Sequence, residues 1–219
     1  MNWTVITQSL PQFVAGFGIT LKLSVIGILG ALLVGAIISL VQYFRIPGLR
    51  QLATVYIEIS RNTPLLVQLF FIFYGLPGLG VKLSATVSGV FGLIFLGGSY
   101  MAEAFTGGYN AISKSQIESG RALGLTDLQL ARYVVLPQGL TASVPALAAN
   151  VIFLIKETSI FTVIAIPELT NTALDLIGLY YNSNEYLFEL VVAYAIILIP
   201  LSLALTWLER RVRYASFGN

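Results

Sequence analysis

Lys156-Glu157-Thr158-Ser159 interrupts a long apolar run, and here the chain has residues able to hold a polar molecule. A charge at the bilayer centre costs roughly 2.5–3.5 kcal/mol on insertion scales, so such residues face a bundle interior or a water-filled cavity. Asn150 precedes Glu157 by two helical turns and shares its face. A carboxylate and an amide rimmed by apolar surface suit the ammonium and polar groups of a small zwitterion. Ser159 and Glu103 complete the candidate ligand set, although the default partner of Glu103 is Arg61. A structural role competes with the ligand role: Glu157 would neutralise a base in the bundle, Lys156 being nearest. The residue types leave both open.

What is missing narrows the chemistry. The 219 residues include no cysteine and no histidine, which removes disulfides, Cys/His metal sites and histidine-dependent triads. The ten acidic residues are scattered, so no metal site is expected. No G-x-x-x-x-G-K-[ST] phosphate loop is present, and any nucleotide site belongs to another chain. The chain itself is therefore expected not to be an enzyme, and nothing in the pattern calls for nucleic acid.

The elements that position these residues are membrane spans. Only 10% of residues are charged and 57% are hydrophobic, against about a quarter charged in a soluble domain. About 20 apolar residues cross the hydrocarbon core. Five stretches qualify, at roughly 15–41, 53–76, 86–105, 146–166 and 187–208, predicting an all-α integral membrane protein of one domain, 1–219. Met1 to Gln12 lacks the basic lead of a cleavable signal, so the first span is expected to be retained. Gly27, Ala31, Gly35 and Ser39 form a small-residue line, which predicts close packing against another helix, by default one of the same chain and alternatively one of a second subunit. Thr63-Pro64 predicts a bend in a second span that starts near Leu52, and Pro200 a bend in the fifth.

One segment breaks the apolar pattern. Ser113 to Gln138, SKSQIESGRALGLTDLQLARYVVLPQ, is a hydrophilic island between spans three and four. It reads as a helix, a glycine turn at Gly124 and a second helix, closed by Leu136-Pro137. That suits a lever docked against a soluble partner. With the N-terminus outside, the inside segments hold Arg45, Arg50, Lys114, Arg121, Arg132, Arg210, Arg211 and Arg213, and the outside loops only Lys82. Excess Lys/Arg marks the cytoplasmic side, so the expected topology is N-out, C-in.

Glu118-Ser119-Gly120, Gly124, Val134 and Leu136-Pro137 resemble the EAA loop of ABC importer permeases, Glu-Ala-Ala, three residues, Gly, nine residues, Ile-x-Leu-Pro. Arg61-Asn62-Thr63-Pro64-Leu65-Leu66-Val67-Gln68, Tyr100-Met101-Ala102-Glu103 and Lys156-Glu157-Thr158-Ser159-Ile160 resemble the polar amino acid permeases of the histidine/glutamine/arginine type. Ser119-Gly120 replaces Ala-Ala, and Thr106 stands where the family commonly has Arg. The resemblance implies that Glu118, Ser119, Gly120, Arg121, Ala122, Gly124, Leu136 and Pro137 couple to ATPase subunits. It implies two ABC ATPases, a second permease chain, an extracytoplasmic solute-binding protein, an amino acid substrate and a lipid surround. ATP and Mg would sit on the ATPases, and this chain would bind no cofactor. The location implied is a bacterial or archaeal cytoplasmic membrane. A secondary transporter or channel for small polar solutes, the alternative, leaves the island unexplained, and no internal repeat supports it.

This topology makes a direct prediction. A reporter active only in the cytoplasm should work when inserted near Thr126 or fused after Asn219, and be silent near Gly80 or Asn182. Activity at Gly80 would mean that the span count or orientation is wrong.

Overall fold

The computed structural model describes the backbone of residues 1–217 and the side chains of residues 1–212. The Arg213 side chain and Asn219 lie outside the described residues. Helix α1, Trp3–Tyr43, begins where the Asn2 side chain accepts from the Thr4 N–H. It starts well before residue 15 because Thr4, Gln8 and Gln12 lower hydropathy without breaking a helix, and because Pro11 lies inside it. Helix α4, Ala85–Asn110, starts at Ser84, whose hydroxyl accepts from the Val87 N–H. It runs parallel to α1, with Gly27 on Leu93, Ala31 on Gly97 and Gly35 on Met101 and Ala102. The small-residue line is thus spent inside the chain, as expected.

The second span is broken rather than bent. Helix α2, Leu49–Arg61, and the segment starting with α3, Leu65–Phe70, meet at 103°. Pro64 is extended, with ψ 144°, and lacks an N–H to continue the ladder. Gln68 repairs the break: its Nε2 donates to Ser60 O at 3.0 Å and Thr63 O at 2.9 Å. A π turn, Phe71–Gly75, and a 3-10 turn, Leu76–Leu79, finish the segment.

Two short helices follow α4. Helix α5, Lys114–Ala122, is capped by Ser113, and α6, Asp127–Leu130, by a Thr126/Gln129 capping box. A π turn, Ala131–Val135, leads directly into α7, Leu136–Glu157. Leu136-Pro137 therefore opens a helix instead of closing a segment, since proline in a first turn removes no ladder bond. The fourth span begins about ten residues before 146, hidden from hydropathy by Pro137, Gly139, Thr141 and Pro145. A 3-10 stretch, Thr158–Ile164, follows. Helix α8, Leu169–Tyr180, is capped by Glu168, and α9, Ser183–Phe217, completes the chain with Pro200 inside it.

Among the described residues four helical runs are long and apolar enough to cross a membrane, and the broken pair makes a fifth if it counts as one span. The first core, around Leu93, Met101, Leu154 and Phe161, fills the space between α1, α3, α4 and α7. A second, around Phe13, Leu169, Tyr186 and Ile197, ties α8 and α9 to α1.

Gly108 and Gly107 give an internal test of the α4–α7 contact. A Cβ on Gly108 would meet the Ser143 backbone nitrogen at 2.9 Å, with Gly139 O and Ser143 Oγ closer still, whereas one on Gly107 meets nothing within 4 Å. Gly108→Ala should cost about 1–3 kcal/mol in thermal unfolding of the detergent-purified chain. Gly107→Ala should be neutral or stabilising by up to about 1 kcal/mol. Equal effects would mean that α4 and α7 do not touch there.

Candidate functional site

Arg61 ends α2, where a cation meets the negative end of the helix dipole. Its guanidinium lies over the Tyr100 ring at 5.2 Å and pairs with the Glu103 carboxylate, as the sequence reading had by default. Asn150 on α7 donates its Nδ2 to Tyr100 O at 3.0 Å, and the Tyr100 and Phe153 rings lie 5.1 Å apart. Three spans thus converge on Tyr100. The amide donor of Asn150 is committed to α4, leaving Oδ1 as its free polar atom among the described residues. Glu103 is likewise neutralised by Arg61 and does not stand as a lone acid. Tyr100 was passed over as a site residue; its spacing of three from Glu103 was the available signal.

Glu157 is the last residue of α7, at the switch to 3-10 helix, past the midpoint of the span rather than in its middle. It is half-buried, and it forms no ion pair among the described residues. Lys156 is exposed on another side, so the neighbouring lysine is not its partner. Two turns of helix, about 10 Å of rise, separate Glu157 from Asn150. Ser159 is half-buried beyond it, while Thr158 is fully buried with its hydroxyl returned to Ile155 O at 2.6 Å. The structure thus gathers Glu103 and Asn150 around Tyr100 and leaves Glu157 and Ser159 further along the same helical run. A half-buried carboxylate without an internal cation is a place where a mobile cation gains most.

The second candidate region is the projecting hook of α5 and α6. Helix α5 ends in a Schellman motif: Leu125 N–H bonds Gly120 O at 3.2 Å, and Gly124 N–H bonds Arg121 O at 2.9 Å. That geometry puts Gly124 at φ +81°. Gly120 is buried under Leu130, while Glu118, Ser119 and Ala122 are exposed. Arg121 reaches Asp127 at 3.3 Å in an exposed pair worth little energetically. Gln116 Nε2 donates to Gln138 Oε1 at 2.9 Å, which ties α5 to α7. Leu136 is half-buried against the first core, and Pro137 is exposed. Three apolar side chains on the hook, missed in a segment read as polar, lie open: Leu123 at 83%, Leu128 at 68% and Tyr133 at 65% exposure.

Residues 44–214 match the family described as binding-protein-dependent transport system inner membrane component. The chain is 34% identical over 214 residues to the glutamine transport system permease protein GlnP of Escherichia coli (strain K12), covering 97% of this chain and 98% of that one. It is also 34% identical over 197 residues to the probable glutamine ABC transporter permease protein GlnP of Bacillus subtilis (strain 168), with 90% of each covered. Among solved structures, an amino acid ABC transporter with histidines superposes with a TM-score of 0.91 at 32% identity, over 96% of this chain and 99% of that one. A methionine ABC transporter in inward-facing conformations shares the fold, with a TM-score of 0.78 at 20% identity over 93% and 97%.

The two glycines of the hook should respond differently to a side chain. A Cβ on Gly120 would crowd the Leu130 Cδ1, at 2.5 Å, a methyl that can rotate away, and would meet Leu125 Cδ1 at 3.5 Å and Val134 Cγ2 at 4.0 Å in ordinary contact. Gly120→Ala should therefore cost less than about 1 kcal/mol. Gly124→Ala has open space but the wrong φ, and should cost about 1–2 kcal/mol locally. Trypsin cleavage at Arg121 reads the difference: it should quicken in Gly124→Ala alone. Equal rates in both variants would contradict the capping geometry.

Proposed function

The chain belongs to the binding-protein-dependent transport system inner membrane component family, and on that premise we propose that it is the permease subunit of an ATP-driven amino acid importer. It works as one domain, 1–219, with its N-terminus outside and the α5–α6 hook in the cytoplasm. Two ABC ATPase subunits, holding ATP and Mg, dock on the hook through Leu123, Leu128 and Tyr133 around the exposed face of Glu118, Ser119, Arg121 and Ala122. A second permease chain completes the pathway, and an extracytoplasmic binding protein delivers the amino acid. The chain does no bond chemistry of its own. The similarity to relatives named for glutamine supports a neutral polar amino acid, and the family favours this reading over a secondary transporter or channel.

The observation that carries the proposal is mechanical. From Asp127 to Ile164 the chain forms one helical run of 38 residues, joining the hook to Glu157 without a loop. A push on α6 moves the Glu157 end of α7 as a body. Closure of the ATPases then switches the pathway between outward- and inward-facing states, a rigid-element transition between two packings. In this mechanism Glu157 receives the substrate ammonium, Asn150 Oδ1 and Ser159 receive its other polar groups, and Glu103 with Arg61 holds Tyr100 in place behind them.

Glu157→Gln tests the site. Because Glu157 has no ion-pair partner among the described residues, the substitution strands no buried base, and the protein should accumulate and assemble normally. Uptake by the reconstituted importer at subsaturating amino acid should fall about tenfold or more, since a hydrogen bond to a charged group contributes about 1.5–3 kcal/mol. Asn150→Asp should shift preference toward cationic amino acids. Wild-type uptake by Glu157→Gln would remove Glu157 from the ligand set, and scarce protein would return it to a structural role.

A further inference from the structure

Both π turns among the described residues are followed by the same pair, Leu-Pro. Phe71–Gly75 runs into Leu76-Pro77, and Ala131–Val135 into Leu136-Pro137. In each, the leucine N–H reaches back five residues, Leu76 to Phe71 O and Leu136 to Ala131 O. The proline supplies the reason. It has no N–H to offer the turn before it, and its ring crowds the carbonyl four residues earlier. The backbone bond therefore reaches one residue further just ahead of each proline. Such a widened turn is where a helical run bends most easily. In the run from the hook to Glu157, this weak point lies directly before a seated segment. Gly139, in the first turn of α7, faces α4 so closely that a Cβ there would fall 3.1 Å from Tyr109 Cα.

Gln138 spans the weak point. Its Nε2 donates to Val134 O inside the turn at 3.1 Å, and its Oε1 accepts from Gln116 Nε2 of α5 at 2.9 Å. One side chain thus ties the first helix of the hook, the widened turn and the first turn of α7 together. Among the described residues no other side-chain hydrogen bond joins α5 to α7. Gln68 answers Pro64 in a similar way, with two bonds from one amide across a proline break. The difference lies in what is held. Gln68 bonds only the backbone of its own segment, whereas Gln138 also takes hold of a separate helix.

We infer that Gln138 is a positioning residue of the coupling step: with Gln116 it braces the π turn, so that a push on the hook reaches α7 instead of bending the turn. This rests on the reading of the hook as the dock for the ATPases. The chemistry suits the task. Both partners are uncharged amides, so the brace does not weaken with salt as the exposed Arg121–Asp127 pair does. Its strength sets the size of the effect. A net hydrogen bond of this kind shifts an equilibrium about fivefold, or about 1 kcal/mol. That is small against the stability of the whole chain, yet it decides how often the turn is held when the hook is pushed.

The test uses the complete importer, reconstituted in vesicles with its ATPases and binding protein, and reads amino acid taken up per ATP hydrolysed. Gln138→Met keeps the length of the side chain and removes both bonds. Uptake per ATP should fall about fivefold while ATPase association and ATP turnover are kept. Hydrogen exchange at the Leu136 N–H should quicken by a similar factor, as a loosened turn requires. Gln116→Met should lower the ratio too, and the double variant no further than Gln138→Met, because the two bonds act in series. Gln116→Glu combined with Gln138→Lys rebuilds a link across the same gap and should restore coupling. Thr141→Val removes a 3.2 Å bond to Pro137 O that stays within α7, and should change nothing. Three results would each overturn the brace. They are wild-type uptake per ATP in Gln138→Met, a double variant worse than Gln138→Met, and loss of ATPase association in Gln138→Met. Should Gln138→Met fail to accumulate, Gln116→Met breaks the same brace from an exposed position and decides. A hook that is not the dock shows separately, as ATPase association that survives Leu128→Asp in an otherwise unaltered chain.

Discussion

Helix α4 lies close enough to both α1 and α7 for backbones to touch, and every other element takes its position from that fact. No apolar solvent effect pulls helices together inside lipid, so association relies on contact area and on backbone approach. A Cβ on Gly97 would fall 2.7 Å from the Ala31 Cβ and the Leu154 Cδ1 alike, so one glycine admits α1 on one side and α7 on the other. Gly92 admits Leu69 from α3 and Gly89 admits Ile166 from beyond the 3-10 stretch, each at 2.8 Å. The Tyr100 cluster exists because this packing brings the end of α2 and the middle of α7 to the same turn of α4.

A second constraint acts on the backbone itself. In hydrocarbon an unsatisfied carbonyl costs several kcal/mol, so a helix may break only where something replaces the lost bonds. Gln68 does this at the Thr63-Pro64 break, and the Glu168 carboxylate does it at the start of α8 by accepting from the Thr170 and Asn171 N–H groups. The Leu169 N–H is taken by the Thr20 hydroxyl of α1. Each repair uses a polar side chain that composition alone would count against a membrane span.

Much of this was legible in the residues. Span number, the small-residue line on α1, the Arg61–Glu103 pair and the helix–glycine–helix hook all follow from local spacing, because each is decided within a few turns of helix. Other features depended on what lies opposite. Hydropathy began the fourth span at 146 since Pro137, Gly139 and Thr141 look like linker, yet Gly139 is where α4 packs on α7. Nothing in Thr63-Pro64 alone says whether the chain bends or turns through 103°; Gln68, four residues on, bridges the break by reaching back to the Ser60 and Thr63 carbonyls. Asn150 shares a face with Glu157, but only the neighbouring Tyr100 carbonyl reveals that its amide hydrogen is already used.

The broken second span and the unbroken fourth form a pair with opposite mechanics. Alternating access needs some elements to move as bodies and others to absorb the movement. The run from the hook to Glu157 contains a π turn but no loop, so under the proposed mechanism displacement at α6 reaches the carboxylate end of the span. The α2–α3 junction beside it turns through 103° and is held by two hydrogen bonds from the Gln68 side chain. Arg61 lies at that joint and holds Tyr100 by its ring face and Glu103 by its carboxylate. Asn150 and Glu157 are both carried by α7, whereas the Tyr100 ring beside Asn150 is held on α4 by Arg61 at the end of α2, so the rod and the floor it rests on belong to different elements.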